Sequence, residues 1–288
     1  MTWWQAIILG LVQGLTEFLP VSSSGHLVIF SRLLGVNGEG FLDFTVTVHL
    51  ATVIATIVVF WKVIWGLLKG FFKFKWNDET DYICKILVSL IPVMLVGFLL
   101  KDWVDGLFSG SLHQVGFALC FTAALLILSD YLGRKPASSH SDQPDPAPCH
   151  SDQSSEKSHP RNGISWWQAF VVGIAQAVAV VPGISRSGST IATGLLCGVE
   201  RKGMAQFSFL MVLIPILGEQ LLDIAKGLMV SGVIGGGVSP LALVLGFVAA
   251  FASGLFACKV MIAIVKKAKL TWFAAYCVVV AALIFFLS

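Results

Sequence analysis

The stretch 3-WWQAIILGLVQGLTEFLPVSSSGH-26 recurs without gaps as 166-WWQAFVVGIAQAVAVVPGISRSGS-189, and this pairing decides the fold. The offset is a constant 163 residues, with nine identities in 24 positions. Unrelated segments of ordinary composition share about one or two. Each copy opens as an apolar run, is cut short by proline (Pro20, Pro182) and passes into a Ser/Gly cluster. Neither is a convincing span, since crossing a bilayer takes about 20 apolar residues. Each is predicted to be a broken, re-entrant helix.

Working outward, the rest of the chain is apolar enough to demand a membrane. Of its 288 residues 56% are hydrophobic and 12% charged, and the mean hydropathy is +0.85. Soluble domains carry roughly 25% charged residues, so a water-soluble enzyme is excluded, and so is disorder. A net charge of +3 is too small and dispersed to suggest a nucleic-acid partner. The six cysteines show no metal or redox spacing, and five of them read as small buried hydrophobes. No cleavable signal is expected, because the opening apolar run lacks a basic flank and meets Gln13 and Glu17.

Membrane-spanning lengths occur at about 44–66, 84–100, 113–132, 205–225, 241–264 and 270–287. The polar stretch 136–163, rich in Ser, Pro, Asp and His, is predicted to be a flexible cytoplasmic linker. It divides a first membrane repeat, 1–135, from a second, 164–288, the two forming one membrane domain. With three full spans between the copies, the second is upside down relative to the first. The basic residues agree. Lys62, Lys69, Lys73, Lys75, Lys85, Arg134, Lys135, Arg201, Lys202, Lys266, Lys267 and Lys269 all fall inside when both termini are outside. Only Arg32, Lys101 and Lys226 fall outside. The expected fold class is therefore all-α integral membrane: six transmembrane helices plus two re-entrant broken helices in an inverted-topology repeat.

Broken helices that meet at the midplane can aim their N-termini at an anion. The runs 22-SSSGH-26 and 183-GISRSGST-190 supply glycines for close backbone approach and hydroxyls for phosphate oxygens. Differences between the copies say more than identities do. Glu17 faces Val180, Ser23 faces Arg186 and His26 faces Ser189. One half thus offers a carboxylate, a hydroxyl and an imidazole, the other a guanidinium, a division suited to phosphoryl transfer. Glu17, Ser23, His26 and Arg186 are the catalytic candidates. Ser22, Ser24, Gly25, Gly183, Ser185, Ser187 and Thr190, with Gln13, are the substrate-binding candidates. Gln13 and Glu17, four apart on one helix face, can jointly ligate Mg²⁺ or Ca²⁺. The bland alternatives are a carboxylate that only ties helices together, an Arg186–Glu17 structural pair and a satisfied core histidine. A carboxylate within an apolar helix favours function. His49, Asp130, Glu219 and Asp223 read as packing or snorkelling groups, Glu219 standing out in an otherwise apolar run.

These motifs resemble those of the bacterial undecaprenyl pyrophosphate phosphatases of the bacitracin-resistance type. The likeness is carried by Q-G-L-T-E (Gln13–Glu17), matching the family's (E/Q)xxxE, by the following P-V-S-S-S-G-H, and by P-G-I-S-R-S-G-S-T (Pro182–Thr190). It extends over nearly the whole chain; the polar linker is the one visible departure. The resemblance implies an inner-membrane hydrolase. It would release the terminal phosphate of a C55 polyprenyl diphosphate from a cavity open to the periplasm. That activity recycles the lipid carrier for peptidoglycan synthesis and confers bacitracin resistance. It further implies Glu17 and Gln13 in the catalytic and metal region, His26 as acid/base, Ser23 as a nucleophile candidate, and Arg186 gripping the diphosphate with Ser185, Ser187 and Thr190. Covalent attack by Ser23 and direct attack by water both stay open. A transporter or lipid flippase of inverted-repeat architecture is the competing class. Oligomeric state leaves no mark, and a homodimer is compatible with the sequence.

Overall fold

The computed structural model describes residues 1–36, 40–99, 112–133, 163–230, 238–267 and 269–287. The linker, except Gly163, and the side chains of Glu219, Asp223, Lys226, Lys266 and Lys267 lie outside the described residues, as do Lys101, Arg134 and Lys135. The described residues form ten helices: α1 (Trp3–Phe18), α2 (Ser23–Leu33), α3 (Gly40–Phe71), α4 (Asp78–Leu99), α5 (Leu112–Leu132), α6 (Trp166–Val178), α7 (Arg186–Leu196), α8 (Arg201–Val230), α9 (Pro240–Lys267) and α10 (Thr271–Leu287). Four contain stretches long and apolar enough to cross a membrane: Asp43–Phe71, Asp78–Gly97, Leu112–Leu132 and Pro240–Val265. The chain is a multi-pass, all-helical membrane protein. The other two predicted spans coincide with α8 and α10.

Several identical positions of the repeat do the same structural work in both copies. Thr2 and Ser165 precede α1 and α6, and their backbone N–H groups donate to Gln5 Oε1 (2.7 Å) and Gln168 Oε1 (2.8 Å). The same two glutamines then donate from Nε2 to the Leu34 and Cys197 carbonyls at 2.9 and 2.8 Å. Each shared glutamine therefore holds one helix start to the next helix end, meeting groups that a helix leaves unpaired at both termini. Gly35 and Gly198 end α2 and α7 with φ +65° and +84°, where glycine carries no Cβ penalty. The correspondence thus runs past the 24 aligned residues.

Gly10 and Gly173 are identical because both lie where helices cross with backbone contact. A methyl group on Gly10 would overlap the Gly246 carbonyl of α9, and one on Gly173 would overlap the Ser89 carbonyl of α4. Small residues at such crossings are how membrane helices associate without a hydrophobic drive between them. The first helix of each half thus packs on the fourth helix of the other. The last helices of the two halves, α5 and α10, pack together.

Breaks fall where the sequence places them. Leu19 is extended (φ −77°, ψ 144°) ahead of Pro20, as proline requires of its predecessor. Chain direction resets over four residues before α2 begins. At the far end of α5, buried Asp130 accepts Arg201 Nη2 (2.7 Å), Thr271 N (2.8 Å) and Thr271 Oγ1 (2.8 Å), so one carboxylate gathers the starts of α8 and α10. That gives the packing role expected of Asp130 a defined form. The cysteines divide: Cys258 and Cys277 are buried, Cys84 and Cys197 half-buried, and Cys120 is exposed. Cys120 therefore departs from the buried reading.

Candidate functional site

The two broken elements meet. Gly183 N–H approaches Ser24 Oγ at 3.4 Å, and Ser187 Oγ donates to the Leu19 carbonyl at 3.2 Å. A methyl on Gly25 would lie 3.5 Å from Gly183 Cα, and one on Gly188 would lie 3.2 Å from Pro20 Cβ. The glycines permit the two loops to cross at backbone distance.

Both helices that follow the breaks start on a serine. Ser22 Oγ accepts Gly25 N–H (3.2 Å), and Ser185 Oγ accepts Gly188 N–H (3.1 Å). These caps satisfy one amide each. The first-turn amides of Ser23 and Ser24 on α2, and of Arg186 and Ser187 on α7, are left without helical partners by the geometry of a helix start. Four donors and two positive helix ends are thereby concentrated at the crossing. The copies diverge in one backbone detail. Ser185 has φ −75°, whereas Ser22 has φ +69° and ψ 97°, a conformation a non-glycine residue holds only under constraint.

Glu17 is the hub. Its Oε2 accepts Ser23 Oγ at 2.6 Å and Gln13 Nε2 at 2.8 Å. Arg186 Nη2 lies 3.8 Å from Oε1, and His49 Nε2 lies 3.9 Å from Oε2. The first half's carboxylate and hydroxyl are therefore in direct contact, with the second half's guanidinium beside them. Arg186 is a loose ion pair rather than a bidentate lock. Its guanidinium makes no hydrogen bond among the described residues, and its side chain keeps 25% exposure. Its donors are therefore available to an incoming anion.

The remaining candidates separate. Ser22 and Ser185 spend their hydroxyls on the caps. Thr190, fully buried, bonds the Arg186 carbonyl and Ser208 Oγ, and Ser187 bonds Leu19, so both hydroxyls tie the loops internally. His26 is buried and turned away from Glu17: Nδ1 meets the Ser22 carbonyl at 2.7 Å and Nε2 meets Tyr276 Oη at 2.8 Å. Sequence reasoning missed Tyr276 and set His49 aside. Tyr276 is 250 residues from its partner and carries no local signal. The only trace of His49 was a histidine inside an apolar run.

For a divalent cation the donor set is small but of the right kind. Gln13 Oε1 is buried without a hydrogen-bond partner, and the Glu17 carboxylate is one helical turn away. Two hard oxygens suit Mg²⁺ or Ca²⁺, which readily complete their shells with phosphate and water. No group of three or more His, Cys, Asp or Glu suited to a metal occurs among the described residues.

Fold and site together define a polytopic helical membrane protein with a carboxylate–serine–arginine cluster where two repeated, interrupted helical elements meet. The chain belongs to the family described as bacitracin resistance protein BacA, which it matches over residues 6–283. It is similar to proteins named undecaprenyl-diphosphatase. The Parabacteroides distasonis protein is 51% identical over 280 residues, covering 97% of this chain and 96% of that one. The Bacteroides fragilis protein is 50% identical over 281 residues with the same coverage, and the Halothermothrix orenii protein 37% identical over 284 residues, covering 99% and 97%.

Proposed function

We propose that this protein hydrolyses undecaprenyl diphosphate to undecaprenyl phosphate and inorganic phosphate, returning the lipid carrier to peptidoglycan synthesis and conferring bacitracin resistance. The observation that carries the chemistry is the 2.6 Å contact between Ser23 Oγ and Glu17 Oε2, beside an arginine with unused donors.

In the proposed reaction the polyprenyl tail stays in lipid while the diphosphate enters the loop crossing. Arg186 and the first-turn amides of α2 and α7 hold its oxygens, as donors fixed where charge redistributes during P–O cleavage. Glu17 accepts the Ser23 hydroxyl proton as Oγ attacks the terminal phosphorus. The P–O bond to the bridging oxygen breaks, and undecaprenyl phosphate departs with the bonding electron pair. Glu17 gives its proton to the departing phosphate, and the ionised carboxylate then takes a proton from water as the water oxygen attacks the phosphorus. The P–Oγ bond breaks, Ser23 Oγ recovers that proton and inorganic phosphate leaves. The direct contact favours this covalent route over water attack. A divalent cation held by Gln13 and Glu17 would supply further charge neutralisation.

The finer architecture is part of the same reading: six spans with α1–α2 and α6–α7 as re-entrant elements, an inverted repeat, and a linker joining halves 1–135 and 164–288. The exchanged packing of α1 on α9 and α6 on α4 supports it. The distribution of basic residues supports a topology with both termini on the periplasmic side of the inner membrane, and a site open to the periplasm agrees with it. We further read the protein as acting on lipid rather than nucleic acid, with a homodimer compatible with the fold.

The test is phosphate release from a C55 diphosphate by purified protein in detergent, with Mg²⁺ or Ca²⁺ against EDTA, alongside Arg186→Ala. Cation-dependent release that falls roughly 10²–10³-fold in the variant is expected, the usual loss when a fixed charge-stabilising donor is removed. No release from folded wild-type protein would overturn the hydrolase and leave the transporter reading.

A further inference from the structure

The last helix of the second half supports the reactive loop of the first at two successive residues. Tyr276 Oη lies 2.8 Å from His26 Nε2, and Cys277 Sγ donates to the Pro20 carbonyl at 3.8 Å. The first half reciprocates through α5, where Thr122 Oγ1 accepts the Ser185 N–H at 3.1 Å. Each half's fifth helix therefore props the other's loop.

The polarity of the Tyr276 contact follows from elimination. His26 Nδ1 is 2.7 Å from the Ser22 carbonyl, which can only accept, so Nδ1 carries the proton. Nε2 of the neutral ring then presents a lone pair, and the phenol must donate to it. The rings lie nearly parallel, 11° apart with centroids separated by 5.6 Å, which fixes orientation as well as tautomer. The Ser22 carbonyl that receives Nδ1–H also receives the His26 backbone N–H at 3.2 Å, and Ser22 is the residue at φ +69°. A histidine clamped on both nitrogens thus holds the strained turn from which Ser23 projects.

We infer that Tyr276 is a positioning residue for the reaction: its hydroxyl fixes the Nδ1–H tautomer and the orientation of His26, and through Ser22 sets the direction of Ser23 toward Glu17. The inference rests on the hydrolase reading for its kinetic consequence but not for the contact itself. Partners that orient a metal-ligating histidine contribute about 10–100-fold in affinity or activity, and a phenol orienting a buried histidine is expected to act at the lower end of that range.

The experiment uses full-length protein with ¹⁵N-histidine, the His26 signals being assigned by their loss in His26→Gln. Wild type is expected to show a protonated Nδ1 and a hydrogen-bonded, unprotonated Nε2. In Tyr276→Phe the Nε2 signal should move downfield, and kcat should fall roughly tenfold with KM within about twofold. A protonated Nε2 in wild type overturns the inference without need of any variant. Unchanged His26 signals in Tyr276→Phe overturn it as well, and so does unchanged kcat. Absence of turnover in wild type would defeat the hydrolase reading alone, since the spectra report the contact independently.

Discussion

Ser23 and Glu17 are six residues apart, on opposite sides of a helix break, yet Ser23 Oγ donates to Glu17 Oε2 at 2.6 Å. Pro20 and the positive φ of Ser22 turn the chain back so that the second helix begins against the side of the first. Activation of a serine needs a base within hydrogen-bond reach, and this turn supplies one. Ser23→Ala is expected to reduce turnover by about 10³-fold or more with little change in KM. Glu17→Gln, which keeps the shape but loses the base, should reduce it by roughly 10²–10⁴-fold. Steady-state kinetics on the lipid diphosphate check both, and near-normal turnover in Ser23→Ala would eliminate the covalent route.

His49 completes the surroundings of Glu17. Its Nδ1 meets the Thr45 carbonyl at 2.8 Å and so must donate, which leaves Nε2 facing the Glu17 carboxylate at 3.9 Å. The side chain is nearly buried, so solvent screens the pair weakly. His49→Leu is expected to lower kcat about tenfold, equivalent to ~1.4 kcal/mol, while the protein stays folded. His49→Gln should retain more activity by keeping a polar group beside the Glu17 carboxylate. Equal activity in both variants and wild type would remove His49 from the site.

The repeat made the scaffold legible because its identities are structural: Gln5 and Gln168, Gly10 and Gly173, and Ser22 and Ser185 do the same mechanical work in both halves. The divergent positions Glu17, Ser23 and Arg186 were legible for the opposite reason, since a scaffold does not need them. What could not be read was long-range. Nothing near Tyr276 marks it as the partner of His26, and nothing near Thr190 tells that its hydroxyl is taken by Ser208. A Ser/Thr-rich loop does not announce which hydroxyls are used as caps and ties and which face a ligand.

Close crossing of α1 and α9 yields a stability prediction. A side chain on Gly14 would run into Ser253 Oγ and the Ala250 carbonyl, and backbone cannot give way as a flexible side chain can. Gly14→Val is expected to destabilise the protein by about 1–3 kcal/mol or more, as overpacking does. Gly66, with open space around it, should tolerate alanine with little effect. Thermal unfolding in detergent compares the two, and equal melting temperatures would mean the helices are not in backbone contact.

Asp130 offers the complementary test, remote from Glu17. Its side chain is 4% exposed and accepts three hydrogen bonds, from the Arg201 guanidinium and from the backbone and hydroxyl of Thr271. Removing the acceptor leaves the α10 start uncapped and takes the Asp130 carboxylate away from the Arg201 guanidinium. Hydrogen bonds to a charged group are worth about 1.5–3 kcal/mol, and Arg201, one-third exposed, retains partial access to water. Asp130→Ala should therefore cost about 2–3 kcal/mol. Asp130→Asn should lose less, since its amide oxygen can still cap α10. Because α10 also carries Tyr276, the melting temperature should fall in both variants, and kcat should fall further in Asp130→Ala than in Asp130→Asn. Loss of kcat without loss of stability would instead indicate a direct role for Asp130 in turnover.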